Sequence, residues 1–208
     1  MRRLFIPLTV LLTGILLTAG LVTGFQAHAQ SKDKPAKDSK AKEPEKAERT
    51  PDVIYVPTPQ EVVDKMLAMA EVKKGDIVYD LGCGDGRILV TAAKKFGVKA
   101  IGFDIDPQRV KEARENVRTN KVEHLVTIKQ ADIFTLDLTE ASVITLYLLP
   151  ELNVRLMPQL EKLKPGSRIV SHDFDMAGAK PKEVFSGTVQ ESAHEYTVYK
   201  WVVPWEPE

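Results

Sequence analysis

Val78-Tyr79-Asp80-Leu81-Gly82-Cys83-Gly84-Asp85-Gly86-Arg87 decides how the rest of this 208-residue chain is read. Ile77 and Val78 begin an apolar strand pattern that runs into a glycine-dense turn. An apolar helix pattern, with Ile88, Leu89, Val90, Ala92 and Ala93, follows at once. Glycine at every second position of the turn permits positive φ and lets a ligand lie against bare backbone. The helix behind it turns its free N–H groups toward that ligand. The run is therefore a nucleotide-type loop in a strand–turn–helix unit.

Three features narrow the ligand. The spacing of Gly82, Gly84 and Gly86 is G-x-G-x-G, whereas dinucleotide loops read G-x-G-x-x-G. Asp80 at the strand end would repel a pyrophosphate and suits a ligand with an ammonium group and no phosphate. Asp104 ends the next strand pattern, about 20 residues on, where a carboxylate can take both ribose hydroxyls. Gln130-Ala131-Asp132-Ile133-Phe134 then closes a third strand with an acid and an apolar residue, suited to an adenine amino group and ring face. S-adenosylmethionine, with its amino group and cationic sulfonium, fits this set. Cys83 is the single cysteine and lies inside the loop, so it reads as a small filler without an intramolecular disulfide.

Together these residues resemble the class I S-adenosylmethionine-dependent methyltransferases. The resemblance implies a Rossmann-like, doubly wound, seven-stranded α/β sheet ending in an antiparallel hairpin. The chain pattern agrees with it, because helix and strand signals alternate as in a parallel sheet covered on both faces. Strands are expected at residues 76–80, 99–104, 124–130, 142–148 and 167–172, and a hairpin over 183–191 and 195–203. Helices are expected at 86–96 and 107–119, with a stretch from 150 to 163 that Pro158 should break in two. Thr58-Pro59-Gln60-Glu61 reads as a capping box, with Thr58 as the cap and Pro59 at the first helical position. It opens a helix through Val62, Val63, Met66, Leu67 and Ala70.

The substrate side must come from what lies beside the sulfonium, at the C-terminal ends of strands four and five and in the segment before the first helix. Those runs are Tyr55-Val56-Pro57-Thr58-Pro59, Thr145-Leu146-Tyr147-Leu148-Leu149-Pro150 and Ser171-His172-Asp173-Phe174-Asp175. With the glycine loop they look like the small protein-lysine methyltransferases of archaea and their mitochondrial relatives, over residues 52–174. The resemblance implies cofactor contacts from Tyr55, Thr58, Asp80, Gly82, Gly84, Asp104, Asp132 and Ile133, and no metal. The acceptor residues are Tyr147, as a channel wall, and His172 with Asp173, as a base and its orienter or as a cap of the sheet edge. Two departures stand out: Ala177-Gly178-Ala179-Lys180-Pro181 replaces a tryptophan expected after the His-Asp-Phe run, and those lysine methyltransferases work inside cells or organelles whereas this chain begins like an exported one. The end of strand four also lacks the Asn/Asp-Pro-Pro-Tyr run of many amine methyltransferases. The expected acceptor is a protein lysine. A small-molecule acceptor and an exported, non-catalytic binding module are the alternatives.

The rest of the chain bounds its setting. A formal net charge of +0 supplies no field toward nucleic acid, and no nucleic-acid partner is expected. A monomer is expected. Arg2 and Arg3, an uncharged apolar stretch over residues 4–25, and Ala27-His28-Ala29 describe a secretory signal cleaved after Ala29, giving an exported or periplasmic protein. The stretch is also long enough for a membrane anchor, and the lysines that follow would then hold the domain in the cytoplasm. Arg2-Arg3-Leu4-Phe5-Ile6 partly resembles a twin-arginine signal, a route for folded proteins. Residues 30–50 mix Lys, Glu, Asp, Ala, Ser and Pro with nothing apolar larger than Ala, so they read as a disordered charged tether. The folded domain is residues 51–208.

Overall fold

The computed structural model describes residues 50–190 and 192–208; the expected signal or anchor segment (1–29) and nearly all of the tether lie outside the described residues. Seven strands, β1 (Ile77–Leu81), β2 (Lys99–Asp104), β3 (Val126–Gln130), β4 (Val143–Leu146), β5 (Arg168–His172), β6 (Glu183–Thr188) and β7 (Glu195–Val202), form one sheet. Its order is β3-β2-β1-β4-β5-β7-β6. The first five strands are parallel and β7 inserts antiparallel between β5 and β6, which makes the terminal hairpin. The strand order reverses between β1 and β4, so a crevice opens at their C-terminal ends.

Period-two alternation assigns each strand residue to a face. Val78, Ala100, Val126, Val143 and Val170 join the core built with α1 (Gln60–Met69), α2 (Arg87–Phe96) and α3 (Pro107–Thr119). Tyr79, Leu81, Ile144, Leu146 and Ile169 join the opposite core with α4 (Pro150–Leu160) and the fully buried Trp201. The same alternation puts Asp80 and Thr145 on the α1–α3 side at the crevice. Among the described residues no helix is long and apolar enough to cross a membrane.

Two local expectations are corrected. The capping box does not form: Pro59, not Thr58, is the residue before the helix, at φ −56° and ψ 147°, and no side chain caps the terminus. Pro59 itself is extended rather than helical, so the helix starts one residue later, at Gln60, and Thr58 makes no capping bond. The hydroxyl turns instead to His172, 3.3 Å away. Pro158 does not break α4, which runs unbroken through it to Leu160. The carbonyl that Pro158 leaves without a donor belongs to Val154, a residue 38% exposed where water can replace the lost bond. The expected start of α3 holds, with Asp106 Oδ1 accepting from the Gln108 N–H at 2.8 Å and Pro107 in the first turn.

Candidate active site

The β1–α2 turn is shaped by positive φ at Gly82 (82°), Gly84 (53°) and Gly86 (76°). Gly82 and Cys83 both donate their N–H groups to the Phe103 carbonyl at 2.9 Å, which pins the loop to the end of β2. Cys83 is buried against Gly102, where a Cβ would come within 2.8 Å of its Sγ and 2.4 Å of Leu89. Gly102 is thus a packing requirement that no sequence motif marks. Burial drives the Cys83 thiol well above its usual range, so it is an inert filler.

The turn roofs a crevice of about 680 Å³ at the ends of β1, β2 and β4, a volume typical of small-ligand sites. Asp80 lies on its floor, fully buried, with Oδ1 accepting from Thr145 Oγ1 at 2.7 Å. Burial, reinforced by the charges of Asp104 and Asp85, raises the Asp80 carboxyl to about 7 against the Thr145 hydrogen bond. A cation brought to this carboxyl would restore its charge. Asp104 is also pushed up by burial, while Oδ2 accepts from the Gly84 N–H at 2.8 Å and Oδ1 from the Asp106 N–H at 3.0 Å. Its carboxylate therefore fastens the loop as well as facing the crevice. Asp132 Oδ1 accepts from the Phe134 N–H at 3.0 Å, and Asp132, Ile133 and Phe134 form the outer wall.

The segment before α1 crosses the mouth. Tyr55 covers Gly84 so closely that a Cβ there would approach its ring to 2.3 Å. Gly84 is accordingly not part of the wall; Tyr55, Thr58, Gly82 and Cys83 are. The Tyr55 ring lies under the Arg109 guanidinium, 4.7 Å from its carbon, and its hydroxyl engages Asp85, which together with burial raises the phenol. Arg87 grips Asp85 with Nε at 3.0 Å and Nη2 at 2.7 Å, and its Nη1 donates to the Thr58 carbonyl at 3.0 Å. Tyr55 and Thr58 were expected at the cofactor, but nothing in the sequence tied them to Asp85 and Arg87 of the glycine run, which hold them here.

Tyr147 is half-buried in the wall just beyond β4. Its ring packs on His172, centroids 3.9 Å apart, and faces Phe174 at 6.0 Å. His172 and Asp173 do not line the crevice: His172 is 2% exposed and sits behind Tyr147. Asp173 adopts φ +58° and is clamped to β7, its N–H donating to the Thr197 carbonyl at 2.7 Å and its Oδ1 accepting from the Thr197 N–H at 2.8 Å. Asn153 of α4, fully buried, donates to the Asp175 carbonyl at 2.9 Å and the Phe174 carbonyl at 3.3 Å, holding this turn from the other side. Nothing in the sequence assigned a role to Asn153, and Thr145 was marked only as the first residue of the run at the end of strand four.

Residues 80–183, half of the chain, match the ANTKMT methyltransferase domain family. A protein-lysine N-methyltransferase of Saccharolobus islandicus is 49% identical over 155 residues, which cover 74% of this chain and 95% of that protein. The chain belongs to this methyltransferase family. A solved RNA methyltransferase from Salinibacter ruber, in complex with S-adenosyl-L-homocysteine, is 47% identical, with a TM-score of 0.67 and coverage of 73% of this chain and 95% of that one. A lysine N-methyltransferase of Xenopus laevis, named for a component of ATP synthase, is 29% identical over 63% of this chain and 58% of its own length. This methyltransferase uses S-adenosylmethionine. The crevice fits that cofactor on its own chemistry, with a buried carboxyl, Asp80, for a cation and an acid, Asp104, beside the glycine turn. Asp132 and Ile133 offer a polar and an apolar edge for an adenine.

Proposed function

We propose that the protein methylates the side-chain amine of a protein lysine. The observation that carries this reading is the charge of the crevice. Asp52, Asp85, Asp104, Asp106 and Asp132 line it, beside an Asp80 that the cofactor's cation would occupy, and the basic residues there, Arg87 and Arg109, are ion-paired with Asp85 and with Asp106 and Glu112. Such a wall favours a cationic acceptor and opposes a phosphate backbone. The name of the 49%-identical relative and that of the Xenopus protein support the same substrate class.

S-adenosylmethionine would supply an electrophilic methyl on a cationic sulfur, held by Asp80, Asp104, Asp132 and Ile133. Tyr147 would wall the acceptor side, its ring fixed by His172 and Phe174 so that an entering lysine is lined up for in-line attack. Desolvation beside that ring lowers the amine pKa and so frees its lone pair.

The Salinibacter ruber structure's description as an RNA methyltransferase makes RNA the second reading. Incubation with methyl-labelled cofactor and a mixture of lysine-rich protein, RNA and small amines separates the cases. Label in protein is expected. Label confined to RNA or to small molecules would refute the proposal.

A further inference from the structure

Thr58, His172 and Asp173 form a line from the crevice toward solvent. Thr58 belongs to the crevice wall and is 5% exposed. Its Oγ1 lies 3.3 Å from His172 Nδ1. On the other side of the ring, His172 Nε2 lies 3.3 Å from Asp173 Oδ2. That contact is electrostatic and not aligned as a hydrogen bond, so Nε2 is one of the buried polar atoms without a hydrogen-bond partner among the described residues. A buried unsatisfied nitrogen is uncommon and asks for an explanation. The Asp173 side chain is 23% exposed, which completes a path to water.

The line is rigid. Tyr147 stacks on one face of the imidazole and Tyr196 meets it edge-on, with centroids at 6.5 Å. Asp173 is locked to Thr197, and Asn153 holds the following turn. A hydroxyl, an imidazole and a carboxylate thus follow one another in the order used for proton transfer in other enzymes, with the carboxylate here acting through its charge and not through a hydrogen bond.

We propose that Thr58, His172 and Asp173 form a proton relay that takes a proton from the acceptor ammonium in the crevice and delivers it to solvent. The relay rests on the lysine reading, because a lysine amine arrives as an ammonium that has no lone pair until a proton is removed. Thr58 Oγ accepts an ammonium proton as its own hydroxyl proton passes to His172 Nδ1. His172 becomes an imidazolium balanced by the Asp173 carboxylate, and returns to neutrality by releasing a proton to solvent. The freed nitrogen pair forms the N–C bond, and the C–S bond breaks with its pair left on sulfur. Thr58 is the member that touches substrate; His172 and Asp173 act through it.

The groups facing the His172 ring are Asp173, His194, Thr58, Tyr147 and Tyr196. Burial lowers the His172 pKa, His194 lowers it further and Asp173 opposes. Burial thus favours the neutral ring, the form that can accept a proton.

The test is the pH profile of single-turnover methylation of a lysine peptide, from about pH 6.5 to about pH 10. The parent should show a shallow profile. Thr58→Val should be slower by roughly 10²-fold or more near neutrality, within the usual range for general acid–base catalysis. Its rate should climb about tenfold per pH unit and approach the parent near pH ~10, where solution supplies the free amine. Thr58→Ser, which keeps the hydroxyl, should restore the shallow slope. His172→Gln and Asp173→Asn should steepen the profile in the same direction. A deficit in Thr58→Val that is the same at every pH would overturn the relay and leave Thr58 a packing residue. A parent that methylates no lysine at any pH would overturn the lysine reading itself.

Discussion

Asp80→Asn separates the two consequences of burying a carboxyl on the floor of the crevice. The side chain is fully buried and its pKa rises from 3.8 to about 7, chiefly through burial. Between those values the folded empty protein holds a proton that the unfolded chain has lost. Stability therefore falls as pH rises through this window and levels off above it. At about 1.4 kcal/mol per unit, the full shift amounts to about 4 kcal/mol of stability forgone above pH ~7. Asn is nearly isosteric and can still accept from Thr145, so the variant should escape this cost. Urea unfolding of the empty protein should show Asp80→Asn gaining about 2 kcal/mol on the parent between pH ~5 and pH ~7. Cofactor titration should show the opposite effect. Parent affinity should rise toward neutral pH as the ligand's ammonium draws out the Asp80 proton, and the variant should bind weakly and without that slope. Equal pH slopes of stability and of affinity in parent and variant would refute the reasoning.

Gly84→Ala should lose cofactor binding because its Cβ collides with the Tyr55 ring, 2.3 Å away in the present geometry. Tyr55→Ala in the same chain should relieve part of the defect in titration calorimetry, and an additive double mutant would contradict the contact. Tyr147→Ala should depress turnover far more than cofactor affinity, since the ring walls the acceptor side; equal losses in kcat and in cofactor binding would move it to the cofactor side. Intact-mass analysis of the native protein should find a chain beginning at Gln30, and retention of residues 1–29 would favour the anchor reading.

The fold was legible because its signals are local. The glycine turn, the strand-end acids Asp80 and Asp104, and the period-two pattern of Val78 and Ile144 each act within a few residues. Even the terminal hairpin was announced by alternation across a short turn. The site was legible only in part. Thr58 was read as a cap because its neighbours make a capping sequence, but its partner, His172, is 114 residues away. Arg87 and Asp85 were visible as loop residues, yet their grip on the segment before α1 exists only once that segment crosses the mouth. Asn153 looked like an ordinary helix residue, and its bonds to the Phe174 and Asp175 carbonyls follow from tertiary packing alone. His172 and Asp173 were singled out together, but sequence could not tell that Tyr147 screens them from the crevice. Pro158 misled for a similar reason: whether a helical proline breaks the helix depends on which carbonyl it leaves bare.

Methyl transfer from S-adenosylmethionine to lysine nitrogen leaves a mass mark that residue-level mapping of the reacted protein locates. A lysine-rich protein incubated with the enzyme and methyl-labelled cofactor should carry the label on lysine side chains, with none from a Gly84→Val variant. Label found on no lysine, with the cofactor bound and the enzyme folded, would contradict the account.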